Sequence, residues 1–244
     1  MPDSPPDMVS IIRAFAQELQ IQVVTLDYEA LIHLFAADGL ACNQLMEKFS
    51  GSQTKLQRVM NNLEARGLIH REVHPADGRV RLCRLSDGAR ETLSGLYAEM
   101  PDWLYRKLEA GEPTHGVMAH FSKRLRAATG IIHSSCDYEI LLNLYDAADQ
   151  TASMLFAQSN YASTAFYTSL PRLKKMGMLE VVPDAQDKRL LRYRLAPRVK
   201  AFLNHQHSVM QKWLMPRLAD RMAGSTQENP GPMQSIRPGK DKGR

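Results

Sequence analysis

The stretch from Arg58 to Leu93 reads RVMNNLEARGLIHREVHPADGRVRLCRLSDGARETL and decides the fold. Apolar residues at helical spacing stop before Gly67, and glycine commonly closes a helix. Two short runs with strand-like alternation follow, and Asp77-Gly78 lies between them. Asp-Gly is a strong hairpin signal because glycine tolerates the positive φ of tight turns. The stretch therefore predicts a helix and then a two-stranded hairpin with Arg79 at its tip.

The residues before this stretch predict two short helices joined by a tight turn. A short helix is expected over Asn43 to Phe49, and Ser50-Gly51-Ser52 then interrupts the pattern. The next helix has an apolar face for the core and a polar face for the outside. A helix pair followed by a hairpin is a winged helix-turn-helix, whose second helix fits the major groove of DNA. Its outward face carries Gln53, Thr54, Lys55, Gln57, Arg58, Asn61 and Asn62.

These outward side chains are of types that bind DNA. Glutamine and asparagine form two hydrogen bonds with adenine, and arginine does so with guanine. Ser52 and Thr54, near the helix N-terminus, suit phosphate contacts. Arg79 and Arg81 on the hairpin suit phosphates or a narrow minor groove, and Asp77 is expected to orient Arg79 by a charge-assisted hydrogen bond. The alternative is that both surfaces are only solvated.

Three motifs in the opening stretch fit one family pattern: a helix ending in L-x-x-x-G-[LM]-[IVL], a hairpin with D-x-R, and a closing leucine and serine followed by glycine. The matching residues are Leu63, Gly67, Leu68, Ile69, Asp77, Arg79, Leu85, Ser86 and Gly88. Over roughly residues 10–108 the sequence resembles the multiple-antibiotic-resistance regulator (MarR) family. The resemblance implies a transcriptional regulator, commonly a repressor, that binds double-stranded DNA and pairs through its terminal helices. It also implies that a small-molecule effector is an open option.

The chain repeats itself at an offset of 110 residues: 26–37 (LDYEALIHLFAA) aligns with 136–147 (CDYEILLNLYDA) without a gap. Residues 26–93 match 136–203 at 15 of 68 positions, well above the roughly one in fifteen expected by chance. Trp103 also falls on Trp213. We therefore expect a mainly α protein with small β-hairpin wings, built as two tandem winged helix-turn-helix domains with long flanking helices. The expected bounds are 1–110 and 111–222, followed by a disordered basic tail at 223–244.

The second copy departs from the first in its second helix, STAFYTSLPRLKKMG. Pro171 lies inside this helix, where proline costs about 3 kcal/mol, so a kink or a later start is expected. The two copies are expected to form a pseudo-dimer, with the helices around Trp103 and Trp213 packed together. Because their outward residues differ, this pseudo-dimer is expected to read an asymmetric operator. A homodimer with four winged helices stays open. The DNA-contacting residues expected in this copy are Ser163, Thr164, Tyr167, Thr168, Arg172, Lys188 and Arg189.

Composition and motifs narrow the function classes. The net charge of +5 permits an anionic partner. The three cysteines form neither a disulfide framework nor a zinc pattern, and catalytic motifs such as G-x-x-x-x-G-K-[ST], H-E-x-x-H and G-x-S-x-G are not found, so no enzyme, metal or cofactor is expected. Without a signal or membrane segment, the protein is expected in the cytoplasm, at the nucleoid. Cys83 is expected in the core, and Cys42 is an alternative oxidant-sensing thiol.

Two other function classes stay open at this stage. Tandem winged helices also occur in plasmid replication initiators, which bind origin repeats, and some winged-helix proteins bind another protein and no DNA. The resemblance in both copies favours the regulator.

Overall fold

The computed structural model describes residues 16–37, 39–75, 77–110, 116–205 and 208. This part of the chain is mostly helical, with small antiparallel sheets. Residues 16–19 and 197–205 are helical and flank the numbered elements. The numbered helices are α1 (Leu26–Ala36), α2 (Cys42–Lys48), α3 (Gln53–Ala65), α4 (Asp87–Glu109), α5 (Gly116–Thr129), α6 (Cys136–Asp146), α7 (Ala152–Gln158) and α8 (Ser163–Lys175).

Each sheet has three antiparallel strands, and the last strand in sequence lies in the middle. The first sheet has the order β1-β3-β2 and the second the order β4-β6-β5. In each sheet, a two-residue strand just before the short helix α2 or α7 thus pairs with the second strand of the hairpin. The strands are β1 (Leu40–Ala41), β2 (Ile69–His74), β3 (Asp77–Leu85), β4 (Gln150–Thr151), β5 (Leu179–Pro183) and β6 (Leu191–Leu195).

The long helix before each hairpin ends in the same way. Gly67 and Gly177 have φ of +68° and +67°, which a side chain would strain. Leu68 then donates its N–H to the Leu63 carbonyl at 3.0 Å, and the chain 110 residues later repeats that bond at the same length. This glycine-closed helix end turns the chain into β2 and β5, and it confirms the expected helix end at Gly67.

The first hairpin reverses earlier than the sequence predicted. His74 pairs with Asp77, so the reversal lies between them, and both Asp77 and Gly78 belong to β3. Gly78 does not have positive φ. The prediction of an Asp77-Gly78 turn is therefore wrong, and Pro75, whose ring fixes φ at a value suited to turns, is the residue that favours the observed reversal.

Helix α8 also differs from its prediction, since it starts at Ser163 and runs through Pro171 to Lys175. The expected later start is wrong. Pro171 is exposed, whereas Phe166, Leu170 and Leu173 are buried and hold the helix on both sides of it. Burial of this apolar face offsets the hydrogen bond that proline cannot donate.

Two backbone segments 110 positions apart pair with each other. Thr25 donates its N–H to the His133 carbonyl (3.0 Å), and Ser135 donates its N–H to the Val23 carbonyl (2.9 Å). The hydroxyls of Thr25 and Ser135 also donate to carbonyls one residue earlier in the opposite segment. The same two residues cap the N-termini of α1 and α6. Exchange of equivalent donors and acceptors is the pattern of a two-fold contact.

An aromatic cluster fills the space beside this contact. Phe121 of α5 is fully buried, and its ring centroid lies 6.2 Å from Tyr28 of α1, 5.5 Å from Tyr97 of α4 and 5.5 Å from His133. The hydroxyls of Tyr28 and Tyr97 are 2.7 Å apart and share a hydrogen bond. One ring on α5 therefore joins α1, α4 and the segment that precedes α6.

The helix around Trp103 lies beside α5. Trp103 packs edge-on against His120, with 4.4 Å between ring centroids. Trp213, with which it was expected to pack, and the expected tail at 223–244 lie outside the described residues. The Trp103–Trp213 contact stays a prediction.

His133 predicts a pH-dependent stability. Burial lowers the pKa of His133 to about 4, from an ordinary value near 6.5. The unfolded chain takes up this proton first, so stability is complete above about pH 6.5 and falls as the pH drops toward 4. The expected loss between pH 7 and 4 is about 3 kcal/mol, measured by urea unfolding at each pH. His133→Val, which installs the residue found at Val23, should remove this part of the pH dependence, and an unchanged slope would contradict the assignment.

Candidate nucleic-acid interface

Helix α3 is held by an apolar face and a polar cap. Leu56, Val59, Met60 and Leu63 are buried, and the Ser52 hydroxyl accepts the Lys55 N–H at 3.4 Å. The expected outward residues are all exposed, and so is Ser52: Gln53, Thr54, Lys55, Gln57, Arg58, Asn61 and Asn62. The exposed face was predicted from the sequence. DNA contact by these residues stays a prediction.

A buried carboxylate fixes the turn in front of each outward helix. Glu29 of α1 accepts hydrogen bonds from the Ser50 N–H (2.9 Å) and hydroxyl (2.6 Å). Glu139 of α6 accepts from the Asn160 N–H (2.7 Å) and side-chain amide (3.1 Å). Both carboxylates are at least nine-tenths buried, so each turn is fixed to the core. The sequence analysis did not single out either residue, although both lie in the repeated D-Y-E motif.

The exposed side of α3 divides into two surfaces. Lys55, Arg58 and Asn62 line a cleft of about 1170 Å³, whose other wall includes Thr164 and Thr168 of α8. The amide of Asn62 donates to Asp27 at 3.0 Å at the edge of α1. The cleft surface therefore combines cationic groups from α3 with hydroxyl groups from α8.

The second surface of α3 lies beside the hairpin. Gln57 donates its side-chain N–H to the Asn61 carbonyl oxygen at 2.8 Å, and Arg71 of β2 donates to the same oxygen at 2.8 Å. The Nε of Arg71 also lies 3.5 Å from a carboxylate oxygen of Glu64. Arg71 was missed by the sequence analysis, since a single arginine on a strand carries no signal of its contact with a helix.

Arg79, expected at the tip of the first hairpin, lies inside β3, and this part of the strand presents cations to solvent. Arg79 and Arg81 are exposed. The Asp77 carboxylate accepts the backbone N–H of Arg79 at 3.0 Å. Asp77 thus orders the backbone at the start of β3, which corrects the expectation that it holds the Arg79 side chain by a charge-assisted hydrogen bond.

Helix α8 presents a different face. Ser163, Thr164, Tyr167 and Thr168 are exposed, and the Thr168 hydroxyl donates to the Thr164 carbonyl at 2.7 Å. The face is less rich in amides than α3 and carries an aromatic ring. DNA contact by these four residues stays a prediction.

Arg172 lies farther along α8 and has an intramolecular partner. Its guanidinium donates to the carboxylate of Asp137, which is 6% exposed. Asn62 and Asp27 form the corresponding contact 110 residues earlier, without the charge on the donor. Arg172 therefore anchors α8 to α6. Only the exposed part of its side chain stays available for the predicted DNA contact.

The second hairpin is ordered by Asp184. Its carboxylate accepts the N–H groups of Asp187 (2.9 Å) and Gln186 (2.8 Å) and an N–H of Arg192. The Asp187 N–H, with the bond from Arg192, lowers the pKa of Asp184 to about 2. Asp187 in turn accepts the Arg189 N–H at 2.9 Å, as Asp77 does in the first hairpin. Asp184 was missed, although an aspartate in a turn commonly accepts the backbone N–H two residues later through its side chain.

The hairpin tip in this half carries Lys188 and Arg189, and both are exposed. Each sheet thus presents an arginine whose backbone is fixed by an aspartate two residues earlier. The exposed leucines 190 and 191 follow directly in the second half. The two tips share their cationic character and differ in the apolar surface beside it.

Two thiols meet beside the first sheet. Cys83 is fully buried, which confirms its expected core position, and burial raises its pKa to about 12. Its sulfur lies 3.2 Å from that of Cys42, which is exposed at the start of α2. Among the described residues, no three histidine, cysteine or acidic side chains are grouped to hold a metal ion. No helix in the described part of the chain is long and apolar enough to cross a bilayer.

Comparison with known proteins gives partial matches. No family model matches the chain. An uncharacterized HTH-type transcriptional regulator of Bacillus subtilis, YdgJ, is 32% identical over 65 residues, which cover 27% of this chain and 40% of that protein. The chain therefore matches less than half the length of this curated relative.

Solved structures give further likenesses. A probable transcriptional regulator from Pseudomonas aeruginosa is 29% identical and covers 38% of this chain and 70% of its own, with a TM-score of 0.29. The MepR–DNA complex of Staphylococcus aureus is 19% identical and covers 50% of this chain and 91% of its own, with a TM-score of 0.30.

Proposed function

We propose that the protein is a transcriptional regulator that binds double-stranded DNA through two non-identical winged helix-turn-helix units. The observation that carries the proposal is the repeated surface: α3 and α8 have the same pattern of buried and exposed positions, and the hairpin after each carries an exposed arginine, Arg79 or Arg189. The partial identity to an HTH-type regulator supports the same function.

The two units lie within residues 1–110 and 111–222 and form a pseudo-dimer in this proposal. The exchanged hydrogen bonds of Thr25 and Ser135 support a two-fold relation between them. A regulator with two identical chains achieves the same relation by dimerising and reads matching half-sites one helical turn apart. Here both half-sites are contacted by one chain.

The expected operator is asymmetric because the two outward helices differ chemically. Gln57 and Asn61 of α3 are replaced 110 positions later by Tyr167 and Pro171. Amide groups read base edges by hydrogen bonds, whereas an exposed tyrosine contacts thymine methyl groups and sugars. Repression by blocking a promoter is the expected outcome, with a small-molecule effector as an option.

Arginines at the hairpin tips and amides on the helix have separable roles. Arg79→Ala is expected to weaken binding to every duplex and to reduce the slope of log affinity against log salt by about one, because one phosphate contact is lost. Gln57→Ala is expected to relax the preference at one base pair, by about 1–3 kcal/mol. Fluorescence anisotropy with selected and random duplexes, over a series of salt concentrations, measures both effects.

Arg124→Ala is the matched control for charge. Arg124 pairs with Glu99 at 2.6 Å and lies 5.5 Å from the Trp103 ring centroid, on α5 and away from both hairpins in sequence. Its removal should leave the affinity and salt slope close to those of the unmodified protein. Absence of duplex binding at low salt would refute the proposed function, and equal behaviour of all three variants would refute the site.

A further inference from the structure

The carbonyl oxygen of Asn61 accepts two hydrogen bonds within the protein. Arg71 donates to it through Nη2 and Gln57 through Nε2, each at 2.8 Å. A carbonyl oxygen has two lone pairs, so its acceptor capacity is used. What Asn61 still presents to solvent is its NH₂ group, which only donates.

The donor-only state changes which bases Asn61 fits. An unrestrained asparagine binds adenine with its oxygen on N6 and its nitrogen on N7. With the oxygen occupied, Asn61 lacks the acceptor that N6 needs. Its NH₂ group instead fits the acceptors of the major groove, which are guanine O6 and N7, thymine O4 and adenine N7, and among these bases only guanine offers two acceptors side by side. This result differs from the adenine contact that the sequence suggests for an asparagine.

Arg71 is well placed to hold this orientation. Its side chain is 22% exposed, and its Nε lies 3.5 Å from a carboxylate oxygen of Glu64, one turn along α3 from Asn61. It is rooted in β2, which packs against α3. The Arg71 guanidinium lies beside Glu64, and the strand that carries it packs against α3. It therefore donates to Asn61 without the entropy cost of ordering a free side chain.

The second half has no equivalent arrangement. The residues 110 positions after Arg71, Asn61 and Glu64 are Val181, Pro171 and Lys174, which offer neither the donor, the amide nor the carboxylate. Any effect of Arg71 on base preference therefore belongs to the half-site under α3.

We propose that Arg71 is a specificity-determining positioning residue: by occupying the Asn61 oxygen, it makes α3 prefer guanine to adenine at the base that Asn61 faces. The proposal rests on the proposed function. Arg71 acts through Asn61 and needs no contact with DNA itself.

The test is selection of duplexes from a randomised pool, followed by sequencing and by anisotropy on single-base variants. Asn61→Ala locates the relevant position, where preference is lost. At that position the unmodified protein should prefer guanine to adenine, because guanine offers the NH₂ group two acceptors and adenine only one. Arg71→Val, which installs the residue of the second half, leaves the Asn61 oxygen with only the Gln57 bond, so that this oxygen can accept from adenine N6. It should lower discrimination against adenine about tenfold. Arg71→Lys should restore most of it, because lysine is also a donor.

Arg84→Val is the control, since it removes the same charge from the same sheet, where Arg84 pairs with Glu72 at 2.5 Å. It should change affinity without changing the preference. Asn61→Asp gives a second readout that leaves the sheet intact: a carboxylate presents acceptors only, so selection should move to cytosine or adenine.

Three results would overturn the inference: adenine selected by the unmodified protein at this position, the same preference in Arg71→Val as in the unmodified protein, or no change in Asn61→Asp. All three require intact DNA binding, and they leave the proposed function standing. Failure of the unmodified protein to bind any duplex refutes the proposed function and the inference together.

Discussion

Replacing Phe121 with alanine is expected to lower the free energy of unfolding by about 3–5 kcal/mol. The ring is fully buried and contacts Tyr28, Tyr97 and His133, which come from three separate parts of the chain. Removal leaves a cavity between helices that cannot all move inward together. Equilibrium denaturation measures the loss.

Phe166→Ala is the matched control for this change. Phe166 is equally buried, but its aromatic neighbours are Phe156 and Tyr167, within one short part of the chain. Both variants should lose similar stability. Hydrogen exchange followed by mass spectrometry should separate them: Phe121→Ala raises exchange in both α1 and α4, whereas Phe166→Ala raises it mainly in α7 and α8. Equal exchange maps, or a loss below 1 kcal/mol for Phe121→Ala, would contradict the linking role of Phe121.

The elements around α3 could be predicted from the sequence because their signals are local. Apolar spacing predicted the buried face of the helix, and Gly67 predicted its end. The long helix after the hairpin begins at Asp87, directly after the serine of the family pattern, whose hydroxyl accepts the Ala89 N–H. Each of these features depends on residues within one or two turns, which is the range over which propensity and capping act.

The hairpin turn shows where local signals compete. Pro75 and Gly78 lie three residues apart, and each favours a turn. The pairing of His74 with Asp77 selects the proline site. The pairs from Ile69 with Leu85 to Val73 with Arg81 are centred on Asp77, and a register shift between Val73 and His74 moves the reversal toward Pro75. A short sequence window does not contain that information.

Contacts between distant residues were beyond the reach of the sequence. Arg172 appeared as a free cation on a helix face, and the structure pairs it with Asp137. Asn61 appeared as a free amide, and Arg71 occupies its oxygen. In both cases the exposure of the side chain was predicted correctly. The hydrogen-bond partner was not predicted, because it lies on another element of the fold. That partner changes which donors and acceptors the side chain still presents to solvent.

The second large effect is expected in the DNA footprint. The proposal predicts two protected segments about one helical turn, roughly 10 base pairs, apart. The variant Gln57→Ala/Asn61→Ala should erase one segment and lower affinity about a hundredfold, since two base contacts are lost. The variant Tyr167→Ala/Thr168→Ala should erase the other segment and leave the first. These pairs lie on exposed positions of α3 and α8, so neither should change stability by more than about 1 kcal/mol.

The decisive measurement is a hydroxyl-radical footprint of a complex whose mass has been determined by sedimentation. The account predicts one chain per duplex, two protected segments, and loss of one segment in each helix variant. A single protected segment that the α8 variant leaves unchanged, or two segments that appear only with two chains on the duplex, would contradict the claim that one chain reads both half-sites.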